Sequence, residues 1–170
     1  MKTDDVLKKS STQTLVSLLN GVKKDKQRLL EREKLLVDAL NNKVYLDKNG
    51  LLSCYAYQHL SDDDKARICN GAGAAGQAIS HFIPNSLYFL DCTEVFNIHD
   101  FDYYRGKTQK DKDEADRRML DNLLILINRA GGPLKWLRRR RALKYYEAVH
   151  ELGDEAFFKD KDISWMKHAI

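Results

Sequence analysis

The chain has 170 residues, 29 Lys and Arg against 25 Asp and Glu, and a pI near 8.9. That length holds a core of its own and points to one domain with an appendage. No run of about eighteen apolar residues exists to span a membrane, and no apolar N-terminal stretch resembles a secretory signal. Cys54, Cys69 and Cys92 are too few and too irregularly spaced for a disulfide framework or a cysteine metal site, so a cytoplasmic or leaderless, virion-associated protein is expected.

Residues 1–43 form a distinct arm. Leu15, Val22, Leu29 and Leu36 recur every seven residues, with Leu18, Leu19, Leu35 and Leu40 beside them, while Asp25, Lys26, Arg32 and Glu33 interrupt the seam. Ser10-Ser11-Thr12 marks a helix start and Asn41-Asn42 a stop. The arm carries 10 Lys and Arg against 6 Asp and Glu, which leaves 19 of each for residues 44–170. All of the net charge therefore sits on the arm. A positive amphipathic helix can lie on an anionic membrane, pair with another helix or pack on the body. Its aliphatic face without Trp favours packing or self-association, and its acids and lack of aromatics argue against nucleic acid.

Residues 44–170 read as a mainly helical body. Val44 to Tyr57 predicts a small β-hairpin turning at Asn49-Gly50, with a helical reading of its second half left open. Ser61-Asp62-Asp63-Asp64 opens a short helix ending near Cys69-Asn70. The run Asn70-Gly71-Ala72-Gly73-Ala74-Ala75-Gly76 lets backbone carbonyls converge, but no Gly-Lys-Ser/Thr follows to make a phosphate loop. In the interval to Asp91, Phe82, Ile83, Leu87, Tyr88, Phe89 and Leu90 are apolar enough for an acyl channel or core, and His81 is expected at the surface.

The centre of the chain reads as two helices. Asp91 with Glu94 predicts a capping-box start, Arg105-Gly106 a stop, and Thr108 with Asp111 a second start. So short a link makes the helices antiparallel neighbours. His99 lies about 10 Å of helix before the link and Asp116 about 12 Å after it. The two should thus stand at the same height, where a carboxylate fixes the imidazole tautomer and leaves the other ring nitrogen as a general base. Asp100 projects about 100° away, placed for a hard cation. Beyond Gly131-Gly132-Pro133 a further helix follows, with Leu134, Leu137, Tyr145, Val149 and Leu152 as its apolar stripe and Gly153 as its end. Arg141 falls on that stripe, with Asp121 as an expected partner, and Arg138, Arg139 and Arg140 face solvent or, beside Trp136, lipid headgroups. The tail, with Phe157, Phe158, Ile163, Trp165 and Met166, is expected to dock on the body.

His99-Asp100-x-x-Tyr103, then Ala115-Asp116-x-x-Met119, resembles the active-site signature of the calcium-dependent phospholipase A2 superfamily, most closely its disulfide-poor viral and prokaryotic branches. Asp102 stands where disulfide-rich relatives carry Cys. The resemblance implies a phospholipase A2-like, mainly all-α body with an antiparallel catalytic helix pair, and calcium-dependent hydrolysis of the sn-2 ester of glycerophospholipids in membranes or micelles. His99, Asp116 and Tyr103 would be catalytic, and the carbonyls of Cys69, Gly71 and Gly73 with the Asp100 carboxylate would bind Ca²⁺. The alternative is an inactive scaffold that keeps the helices and acts as a binding module through its arm, which the alanine-rich loop and the heptads favour.

Overall fold

The computed structural model describes residues 11–69 and 85–159. Gly71 and Gly73, His81, Phe82 and Ile83, and the tail residues Ile163, Trp165 and Met166 lie outside the described residues. The chain divides into two compact units, Met1–Lys43 and Val44–Ile170.

In the first unit, helix α1 runs unbroken from Thr12 to Asn42. Ser11 Oγ accepts the Thr14 amide at 3.3 Å and so satisfies one of the donors that a helix start leaves open. None of its residues is buried, and Val22, Leu29 and Leu36 of the heptad row are all exposed. Its polar side carries the local pairs Arg28–Asp25 and Gln27–Glu31.

The second unit is mainly helical. Strands β1 (Val44–Leu46) and β2 (Leu52–Cys54) pair antiparallel, Val44 opposite Cys54. Asp47 Oδ1 accepts the amides of Asn49 and Leu51, and Gly50 takes φ +66°, the left-handed position that such a loop gives to glycine. The chain then coils into α2 (Tyr55–Gln58), so the second half of the expected hairpin is helical after Cys54. Helix α3 (Asp62–Ile68) starts on Ser61, whose Oγ accepts the Asp64 amide at 3.1 Å. A two-residue turn joins β3 (Ser86–Leu87) to β4 (Leu90–Asp91). Three longer helices complete the unit: α4 (Thr93–Arg105), α5 (Gln109–Ala130) and α6 (Lys135–Leu152), followed by the single turn α7 (Asp154–Phe158).

Helix α5 is the central rod. Met119, Leu123 and Ile127 repeat every four residues and are fully buried against Val95, Ile98 and Phe101 of α4 and Ala142 and Tyr145 of α6. Each such side chain stabilises the fold by about 2 kcal/mol relative to exposure. On the hairpin side, buried Asn122 accepts the Leu52 amide at 2.7 Å and donates to the Leu52 carbonyl at 2.9 Å. It continues the sheet ladder from a side chain, and Arg129 donates to Asn49 O in the same way. Among the described residues no helix is long and apolar enough to cross a membrane.

Several expectations change on folding. The expected Asp91–Glu94 capping box does not form: Cys92 is the N-cap of α4 and has no side-chain cap bond, Asp91 Oδ1 accepts from the Thr93 amide and hydroxyl, and Glu94 accepts the Tyr57 hydroxyl at 2.9 Å. Arg141 lies over the Tyr145 ring, 5.2 Å from its centroid, and Asp121 is exposed. Arg138 turns to the β3–β4 turn rather than to solvent, and Leu152 is exposed. Phe157 of the tail is buried.

Candidate active site

The link between α4 and α5 is only Gly106-Lys107-Thr108, and residues on either side of it touch, so the chain reverses there. Thr108 and Asp111 form a complete capping box: Asp111 Oδ2 accepts the Thr108 amide at 2.9 Å and Thr108 Oγ1 accepts the Asp111 amide at 3.2 Å. Gly106 is required for space rather than for backbone conformation, since a Cβ there would lie 2.7 Å from the Phe157 ring. Phe157 in turn packs edge-on against Tyr103, with centroids 5.1 Å apart.

The reversal brings His99, Tyr103 and Asp116 together. His99 Nε2 lies 3.0 Å from Asp116 Oδ1, and the Tyr103 hydroxyl donates to the same oxygen at 2.7 Å. His99 is 7% exposed and Asp116 is fully buried. Burial acts to raise the Asp116 carboxyl, but the bond and charge of His99, the Tyr103 hydroxyl and the Lys112 ammonium outweigh it and hold the group below the usual carboxylate range. Burial first, then the charge of Asp116 and the bond to it, push the Tyr103 phenol up, so it remains a donor. An ionised Asp116 accepts, so Nε2 carries a hydrogen, and whenever the ring is neutral the lone pair is on Nδ1. A ring held this way can take a proton at Nδ1 while the carboxylate stabilises the resulting imidazolium.

The second oxygen of Asp116 meets a partner that spacing alone did not single out. Lys112 is fully buried, one turn before Asp116 on α5, and its Nζ lies 3.1 Å from Oδ2. The same ammonium donates to the Val149 carbonyl at 3.2 Å and the His150 carbonyl at 2.9 Å, and sits 3.3 Å from the Asp154 carboxylate. His150 Nδ1 stands 3.6 Å from Asp116 Oδ2. Lys112 thereby ties the α6–α7 corner to the dyad. Gly153 makes that corner possible, because a Cβ there would meet the Val149 carbonyl at 2.2 Å and the Tyr103 hydroxyl at 2.6 Å. The i, i+4 spacing of Lys112 and Asp116 is compatible with a pair but is shared by many exposed helical pairs, so it did not mark this one.

Asp102 is also buried. It takes Arg105 Nε at 3.1 Å and a close contact from Arg118 of α5, so an ionic clamp joins the two helices one turn from the dyad. Of the four expected cation ligands, Cys69 and Asp100 are described. The Cys69 thiol ends α3 and donates to the Asn97 carbonyl of α4 at 3.2 Å. Burial and then the Asp100 carboxylate push that thiol up to about 11; Gly71 and Gly73 lie outside the described residues.

No family model matches the chain, and no curated protein or solved structure matches it.

Proposed function

We propose that the chain is a calcium-dependent lipid esterase of phospholipase A2 type, cleaving the sn-2 ester of glycerophospholipids. The observation that carries the reading is the buried His99–Asp116–Tyr103 constellation, with Nε2 engaged and Nδ1 left as the base. His99 Nδ1 takes a proton from water as the water oxygen bonds to the ester carbonyl carbon. The imidazolium, held by Asp116, then returns that proton to the departing alcohol oxygen as the ester C–O bond breaks. The products are a fatty acid and a lysophospholipid, and no covalent enzyme intermediate is needed. Tyr103 keeps Oδ1 in line with the ring, and Lys112 fixes Oδ2, so the carboxylate cannot rotate away from the histidine. Calcium bound by Asp100 and the carbonyls of Cys69, Gly71 and Gly73 would supply charge opposite the oxygen that becomes negative.

The test is fatty-acid release from mixed micelles. The native protein is expected to release acid with Ca²⁺ and to stop with a chelator. His99→Ala is expected to lower release by at least about a hundredfold with unchanged far-UV circular dichroism. Release that survives this substitution would rule the mechanism out. An inactive native protein that binds no calcium in a calorimetric titration would leave the scaffold reading in its place.

A further inference from the structure

A second surface lies on helix α1, which buries none of its residues. Most of the stability of a helix in water comes from packing an apolar face. At about 100° per residue, Leu19, Val22, Leu29, Leu30, Val37 and Leu40 fall within about 50° of one line along the helix, and they are 46–67% exposed. Of the charges that interrupt the heptads, Asp25 and Arg32 fall about a quarter turn off that line, but Lys26 and Glu33 lie on it. The residues three and four away from Lys26 are Val22, Lys23, Leu29 and Leu30, and those around Glu33 are Leu29, Leu30, Leu36 and Val37. Neither charge therefore meets an opposite one along its own helix. The stripe is also symmetrical about the link between Leu29 and Leu30. Counted outward from there, Lys26 answers Glu33, Val22 answers Val37 and Leu19 answers Leu40.

We propose that α1 pairs antiparallel with α1 of a second copy of this chain, the twofold axis passing between Leu29 and Leu30. Turning the helix end for end about that point lays leucine and valine on leucine and valine. It also sets Lys26 level with Glu33 of the second copy, and Glu33 level with its Lys26. A stripe complementary to itself is what a twofold interface requires. A parallel pair in register would instead set Lys26 against Lys26 and Glu33 against Glu33 within the seam, where charged residues decide register and orientation. It would also bring residues 23–28, four basic and one acidic, against themselves. The antiparallel pair lays them against residues 31–36, which hold two of each sign. A lipid surface fits the stripe less well, because it would have to take up the Glu33 carboxylate unpaired.

Full-length protein is run in sedimentation equilibrium. The native chain is expected at twice its 19.7 kDa. Lys26→Glu and Glu33→Lys each make two attractive contacts repulsive, and each is expected to weaken the dimer by at least about tenfold. Lys26→Glu with Glu33→Lys in one chain restores opposite charges across the axis and should return the dissociation constant to within about threefold of native. In a parallel pair each single reversal would only exchange one like-charge contact for another and leave the constant unchanged. Residues 1–43 hold no aromatic side chain, so an unchanged near-UV circular dichroism spectrum confirms that each variant keeps Val44–Ile170 folded. Single reversals that leave the dimer intact overturn the antiparallel pairing, as does a double variant no tighter than the singles. A native chain that stays at 19.7 kDa at every concentration loaded overturns self-association and gives the stripe to another partner.

Discussion

Replacing Lys112 by Met tests whether the buried ammonium holds the dyad carboxylate. Met nearly matches the stem in length and removes only the donors. Asp116 Oδ2 then loses its bond at 3.1 Å, and the carbonyls of Val149 and His150 lose theirs. Removing one partner of a buried pair costs about 3–5 kcal/mol. Two features set the value at the lower end. Asp116 Oδ1 keeps His99 and Tyr103, and the lost contact to Asp154 involves a carboxylate that is mostly solvated and contributes little. A cost of about 3 kcal/mol, at a urea slope of roughly 2 kcal/mol per M, lowers the midpoint by about 1.5 M. The assay is tryptophan fluorescence or near-UV circular dichroism. Residues 1–43 contain no Phe, Trp or Tyr, so the signal belongs to Val44–Ile170. In an Asp116→Asn background the same substitution should cost less, since the charge it compensates is gone. A shift below about 0.5 M, or two substitutions that add within about 0.5 kcal/mol, would refute the buried pairing.

Two further outcomes are expected besides the loss of ester hydrolysis in His99→Ala. The Asp116 carboxyl is held low in the folded chain, so its contribution to stability is present above the unfolded value of about 3.9 and fades as pH falls through the lower folded value. The fall in thermal midpoint below about pH 4 should therefore be shallower in Asp116→Asn. Asp91 and Asp111, also held low, keep part of the acid limb in place. Gly153→Ala forces a methyl against the Val149 carbonyl and the Tyr103 hydroxyl, an overpacking worth about 1–3 kcal/mol. Differential scanning calorimetry should show the melting point fall by roughly 4–10 °C, and an unchanged melting point would mean that the corner is looser than the packing indicates.

What was legible in the sequence was local. Thr108 with Asp111, Ser61 ahead of three aspartates, and Asn49-Gly50 each act within a few residues of themselves, and each forms its cap or turn. The matched heights of His99 and Asp116 followed from helix rise and a short link, and the side chains meet. What failed to show were choices made by distant groups. Glu94 has the spacing of a capping residue but goes to the Tyr57 hydroxyl, 37 residues away. Arg138 reads as a member of a solvated run until the carbonyls of Leu87 and Tyr88 arrive beside it. Arg141 has the position of an inward cation, yet an aromatic ring four residues on meets it before any carboxylate does. A lysine reads as surface by default. Lys112 is buried because two carbonyls at the end of α6 complete its shell, and no window around residue 112 contains them.

The clamp of Arg105 and Arg118 on Asp102 settles how the paired rods respond to their surroundings. A cross-link of charge has no sulfur to reduce, so thiols in the medium leave the spacing of the two rods untouched. It also breaks and re-forms without an oxidant, so a chain pulled apart can regain its shape unaided. The vulnerability moves elsewhere: a neutral residue in place of Asp102 would leave the guanidinium groups of Arg105 and Arg118 without the carboxylate that joins them.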